Sequence, residues 1–125
     1  MIEHSMRTLE LIGSPAYPID DETRREMTAL GYDRCYFPSG FIRHVAAIIQ
    51  DGDRRSRLAT IKAPTLVIHG RDDPLVPLAG GIDTAKYIPG ATLEVIDGMG
   101  HNFPTELWPQ IIGLIANHAL QSSRA

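Results

Sequence analysis

Two short segments hold the side chains best suited to chemistry. The first reads His69-Gly70-Arg71-Asp72-Asp73-Pro74-Leu75-Val76-Pro77 and the second Asp97-Gly98-Met99-Gly100-His101-Asn102-Phe103-Pro104. Each sets a polar group beside a tight glycine turn. An imidazole moves a proton near neutral pH when a carboxylate from a neighbouring segment fixes its tautomer and orientation. Asp73 and His101 are the natural pair for that work. Asp72 competes with Asp73 for the place of the acid, although it is equally suited to capping the turn and facing solvent. His69 reads as a packed or backbone-bonded side chain rather than a substrate contact, and His4, His44 and His118 as helix-surface residues. The five histidines show no ligand spacing such as His-x-x-x-His with a third partner, so no metal site is expected. Cys35, in an aromatic stretch, reads as a small core residue. Met99 and Phe103 flank His101, placed either to line a pocket beside it or to pack beneath the loop.

The elements that must hold these loops are legible in the hydrophobic pattern. Thr65-Leu66-Val67-Ile68-His69 is a nearly continuous apolar run closed by Gly70, the signature of a strand buried on both faces of a parallel sheet. A helix is expected from Leu78 to about Ile88, ended by Pro89-Gly90, and a second strand over Ala91-Thr92-Leu93-Glu94-Val95-Ile96. Strand, helix and strand make a parallel βαβ unit, whose ligands and catalytic groups belong at the carboxyl ends of the strands. From Glu106 to about Leu120, the spacing of Leu107, Ile111, Leu114, Ile115 and Ala119 predicts a closing helix packed on the sheet, anchored by Trp108. Gly80-Gly81 is not a phosphate loop; it permits close packing.

Upstream of Pro64 the pattern is helical. Ile2, Met6, Leu9 and Ile12 predict a first helix stopped by Gly13-Ser14-Pro15. A second runs from Glu22 to about Tyr32, capped by Asp20 or Asp21. A third runs from Ser39 to about Gln50 with Phe41, Val45, Ile48 and Ile49 on one face, closed at Gly52. The boundary falls near Ala63-Pro64, dividing the chain into residues 1–62 and 63–125. The polar end Gln121-Ser122-Ser123-Arg124-Ala125 is expected to fray.

Composition narrows the classes of function. The 125 residues carry 12 Lys+Arg against 15 Asp+Glu, a formal net charge of −3, with 43% hydrophobic residues, which is the balance of a single globular domain. The longest basic run among these motifs is Arg54-Arg55, too little to neutralise a row of phosphates, so nucleic acid is not an expected partner. A single cysteine excludes an internal disulfide and fits a reducing cytoplasm. The first seven residues lack the apolar core of a signal peptide, and no apolar run approaches the roughly 18 residues needed to span a bilayer.

The string Pro64-Thr65-Leu66-Val67-Ile68-His69-Gly70, followed by Asp73-Pro74, Val76-Pro77 and Gly98-Met99-Gly100-His101, resembles the end of an α/β-hydrolase, in which the acid precedes the histidine. Gly13-Ser14-Pro15-Ala16-Tyr17-Pro18 and Tyr32-Asp33-Arg34-Cys35-Tyr36-Phe37-Pro38 resemble the latter part of a helical cap in the aclacinomycin methylesterase-like branch. The resemblance implies an α/β fold equivalent to the C-terminal portion of the hydrolase domain, with a cap remnant and connecting helix over 1–62 and the acid and histidine loops over 63–125. It implies Asp73 as the acid and His101 as the base of a Ser-Asp-His triad acting on a small-molecule ester, with no cofactor. C–C or amide hydrolysis and a cofactor-free haloperoxidase-type reaction are the other chemistries it leaves open.

The sequence departs from the family in two linked respects: it contains no Gly-x-Ser-x-Gly, and with that motif go the oxyanion donors the fold takes from the residue after the nucleophile and an earlier strand loop. Ser5, Ser14, Ser39 and Ser56 precede Asp73, and none stands in a strand–turn–helix setting that would expose a nucleophile. The expectation is a C-terminal piece of a hydrolase that supplies acid and base but not serine, completed by an N-terminal hydrolase half or by self-association. The reading from another class is a non-catalytic assembly or binding module with a vestigial Asp/His pair.

Overall fold

A computed structural model describes residues 2–123, with Ile2 described in its backbone only. The element order is α1 (Ile2–Ile12), α2 (Asp21–Arg34), α3 (Pro38–Asp51), α4 (Arg55–Leu58), β1 (Leu66–Gly70), α5 (Leu78–Tyr87), β2 (Thr92–Ile96), a 3-10 turn (Thr105–Leu107) and α6 (Trp108–Ser122). Met1, Arg124 and Ala125, and with them the end of the expected frayed tail, lie outside the described residues.

Strands β1 and β2 form a parallel pair in which Leu66 faces Thr92 and Gly70 faces Ile96. The crossover between the strands is made through α5, which packs on both of them. Gly81 is what lets α5 approach: a Cβ there would lie 2.6 Å from the His69 ring. The parallel register decides the location of everything that follows. Both strands run out at the same end, so the loops beginning at Arg71 and Asp97 start side by side. Backbone bonds from Arg71 N–H to the Ile96 carbonyl (3.0 Å) and from Asp72 N–H to the Met99 carbonyl (3.1 Å) then keep them together.

The buried core is small. Ile96, Met99, Leu107 and Ile111 form one cluster, flanked by Ile68 and Tyr17, and Ile88 is buried beside the sheet. The closing helix therefore meets the sheet through its first turns alone. Farther along α6, Ile115 and Ala119 are exposed, contrary to the expectation that the whole apolar stripe packs inward. Trp108 is also more exposed than an anchor would be; its indole N–H donates to the Phe103 carbonyl at 3.1 Å, fixing the end of the His101 loop.

The helical segment has caps where the sequence places them. Asp20 caps α2 by accepting from Thr23 N–H at 2.9 Å, and Gly52 closes α3 at φ +59°. Helix α1 packs on α2. By contrast, every residue of α3 except Gly40 is exposed. The expected apolar face is there, with Phe41, Ile48 and Ile49 exposed by 73%, 68% and 75%, but no element covers it among the described residues. Cys35 is exposed too, on the wall of an apolar cleft between α1 and α2, rather than in a core. His118 is half-buried, where a surface position was expected.

Candidate active site

The loop after β1 is shaped by Asp73 itself. Its Oδ1 accepts from the backbone N–H groups of Leu75 (2.9 Å) and Val76 (2.8 Å), while Pro74 restricts the intervening backbone. An aspartate followed by proline builds this turn from local chemistry. With Oδ1 so occupied, Oδ2 is left for a partner from elsewhere. That partner is His101, whose Nδ1–H donates to it at 2.7 Å.

The electrostatics of the pair follow from its uneven burial. The Asp73 side chain is 6% exposed, the His101 ring 41%. Burial pushes the Asp73 carboxyl up, but the N–H of Val76, the His101 ring and the N–H of Leu75 together outweigh it. The group is held below the usual carboxylate range and is ionised at neutral pH. An ionised carboxylate on Nδ1 selects the tautomer in which Nε2 carries a lone pair. Among the described residues nothing hydrogen-bonds Nε2. Such a ring can take a proton from a group presented to Nε2 and stabilise the resulting charge against Asp73.

Asp72, the competing acid, is engaged differently. Its Oδ2 accepts from Gly98 N–H at 2.8 Å, which ties the first loop to the second. Arg71 reinforces the link through an ion pair with Asp97. His69 is backbone-bonded, its Nε2–H donating to the Val76 carbonyl at 2.9 Å. Met99 is buried and Phe103 exposed, so the two flanks of His101 divide between packing beneath the loop and lining the open side. A cavity of about 280 Å³ opens at the pair, bounded by Ile68, Val76, Met99 and Phe103 beside Asp73 and His101. Among the described residues no cluster of three or more His, Cys, Asp or Glu side chains could hold a metal ion. No helix there is long and apolar enough to cross a membrane.

One part of the site was not foreseen. The segment after α1 lies against the His101 loop: His101 N–H donates to the Ile12 carbonyl (2.7 Å) and Ala16 N–H to the Gly98 carbonyl (3.3 Å). Buried Ser14 bonds both Gly100 N–H and the Asn102 side chain. These contacts join residues more than 80 positions apart, so periodicity could not reveal them. The signal available was the glycine density of Gly98-Met99-Gly100, which marks close approach of another backbone. A Cβ at Gly100 would overlap the Gly13 carbonyl, and one at Gly98 would overlap Ala16.

Comparison with known proteins places the fold. A family model described as alpha/beta hydrolase fold matches residues 26–106, a stretch containing both loops. The 2-hydroxymuconate semialdehyde hydrolase of Pseudomonas putida is 34% identical over 114 residues, covering 84% of this chain and 37% of its own length. Rhodomycin D methylesterase DauP of Streptomyces sp. (strain C5) is 29% identical over 121 residues, covering 94% of this chain and 40% of its own. Among solved structures, a serine hydrolase involved in carbazole degradation, the CarC enzyme, superposes with a TM-score of 0.66 at 18% identity. That alignment covers 97% of this chain and 47% of the other. The chain thus spans less than half the length of each of these three proteins. With two parallel strands ending in an acid loop and a histidine loop, and with a family model matched over most of its length, this chain belongs to the α/β-hydrolase fold family.

Proposed function

We propose that this chain supplies the acid–base portion of a serine-type α/β-hydrolase that cleaves a small-molecule carboxylic ester. The observation that carries the reading is the 2.7 Å bond from His101 Nδ1 to the sequestered Asp73 carboxylate. In the reaction, His101 Nε2 takes the proton of a serine hydroxyl as its oxygen attacks the ester carbonyl. The imidazolium, stabilised by Asp73, then returns that proton to the leaving alcohol. Water repeats the sequence on the acyl-enzyme. Residues 1–62 act as a helical cap remnant and connecting helix, and 63–125 as the part that carries the two loops. The action of relatives on esters and on a semialdehyde favours a hydrolytic reaction within the fold without choosing its bond. A cytoplasmic setting goes with exposed, unpaired Cys35.

The nucleophile in this reading comes from a polypeptide segment outside this sequence. Ser14, the serine packed on the His101 loop, is buried and spends its hydroxyl on Gly100 and Asn102. That observation also favours the second reading, a non-catalytic module, for the chain in isolation. The two are separated by complementation with the upstream segment of a relative that carries Gly-x-Ser-x-Gly, assayed on short p-nitrophenyl esters. The chain alone should give no turnover above buffer, and the complemented pair should give turnover that His101→Ala removes. Turnover by the chain alone that is lost in His101→Ala would refute the outside nucleophile. A folded complemented pair whose activity ignores His101→Ala would refute the acid–base assignment.

The surfaces left open point to what completes the chain. Strand β1 has one neighbour in a two-stranded sheet, and the apolar face of α3 is uncovered. A complementary hydrolase half, or a second copy in its place, would cover both.

A further inference from the structure

We propose that Ser14 is the positioning residue for the His101 loop, setting the orientation of the imidazole from outside the loop that carries it. The inference rests on the reading of His101 as the base. Three consecutive loop residues are gripped by two residues, Ile12 at the end of α1 and Ser14 just beyond it. Gly100 N–H donates to Ser14 Oγ at 2.8 Å, His101 N–H donates to the Ile12 carbonyl at 2.7 Å, and Ser14 Oγ–H donates to Asn102 Oδ1 at 2.5 Å. One hydroxyl therefore holds the residues on both sides of His101, accepting from one and donating to the other. Its single proton and an acceptor site are both used. Ser14 is 4% exposed and Gly100 is buried, so water does not compete for these bonds. The bare backbone of Gly100 brings the segments closer than a side chain there would allow, since a Cβ would overlap the Gly13 carbonyl.

Removing the hydroxyl leaves the Gly100 N–H without an acceptor in a buried place and releases the Asn102 amide. A buried donor without a partner is costly, so the loop must shift to rehydrate it. The residue carried along in that shift is His101, and the casualty is the alignment of Nδ1–H with Asp73. A serine that merely filled space would leave that alignment intact when replaced by alanine.

The test is made on the full chain labelled with ¹⁵N. Long-range ¹H–¹⁵N correlation at neutral pH reads the His101 tautomer, and amide exchange reads the loop. Wild type should show the Nδ1–H form. Ser14→Ala should populate both tautomers and speed exchange of the Gly100 amide about tenfold or more, with the amides pairing β1 to β2 unchanged. Asn102→Ala, which removes only the acceptor of the serine proton, should move the His101 signals while Gly100 stays protected. It decides the question if Ser14→Ala does not fold. An unchanged His101 tautomer in the folded variants, or equal acceleration of all amides, would overturn the proposal. Loss of the Nδ1–H form in Asp73→Asn, but not in either of these variants, would overturn the role of Ser14 alone. A wild-type ring without that form, indifferent to Asp73→Asn, would overturn the acid–base reading beneath it.

Discussion

The proposed self-association should be broken by a charge on α3 without unfolding the chain. A compact monomer of 13.8 kDa exposes about 6,600 Å² by the surface–mass scaling of folded proteins. This chain exposes 9238 Å², so the excess is about 2,600 Å². A standard interface takes only about 800 Å² from each partner and an obligate one two to three times as much, so the excess matches a surface meant to be covered. Ile48 and Ile49 are 68% and 75% exposed, toward the C-terminal end of the uncovered face. Covering a side chain of this kind is worth about 1.5–3 kcal/mol. Ile48→Glu should therefore weaken a symmetric dimer, which contains the residue twice, by about 3–6 kcal/mol. That is roughly a hundredfold or more in dissociation constant. The thermal midpoint of the monomer should scarcely move, since the wild-type side chain already lies in solvent. Sedimentation of wild type and variant over a wide concentration range measures this. A wild-type chain that stays a compact monomer at high concentration would refute the reasoning, as would a dimer indifferent to Ile48→Glu.

Two further outcomes follow from the loops. Gly98 sits at φ +73° and a Cβ there would overlap Ala16; Gly98→Ala should cost at least about 1–2 kcal/mol from the backbone conformation alone, read as a lowered denaturation midpoint. Because the folded Asp73 carboxyl titrates below its ordinary value, its stabilisation is fully present above about pH 4 and lost as pH falls through the lower folded value. The stability difference between wild type and Asp73→Asn should thus shrink as the pH is taken below about 4, as urea titrations at several acid pH values would show.

What could be read from the sequence was whatever depends on neighbours in the chain. The two strands, the crossover helix and the turn at Asp73-Pro74 are each specified within a few residues, by a continuous apolar run, by glycine and proline punctuation, or by a carboxylate reaching its own backbone. Element ends shifted by a residue or two. What escaped was set by contacts across the chain. Nothing in the spacing of Phe41, Val45, Ile48 and Ile49 tells whether a helix face will find a cover, because amphipathicity states a requirement and not a partner. Cys35 and Ile115 went to the surface for the same reason: the elements that would bury them are not among those described. Ser14 escaped because a lone buried hydroxyl has no sequence signature, and its role exists only once α1 meets the loop 86 positions away.

The pairing of Asp73 with His101 shows why an acid–base pair can be formed by so small a piece of a sheet. Parallel strands in register deliver their following loops to one end at a separation fixed by backbone hydrogen bonding, about 4.8 Å between chains. Asp73 needs only its own turn to be oriented, and His101 needs only Asp72, Ser14 and Ile12 to hold its loop. None of these requirements involves a strand beyond β1 and β2. A nucleophile is different, since it must be presented to Nε2 from a third loop with its own strand and its own oxyanion donors. In the proposed reading the geometry of the base is thus complete before a nucleophile arrives, and the step assigned to a partner is presentation of a hydroxyl to an imidazole whose Nδ1 is already bonded to Asp73.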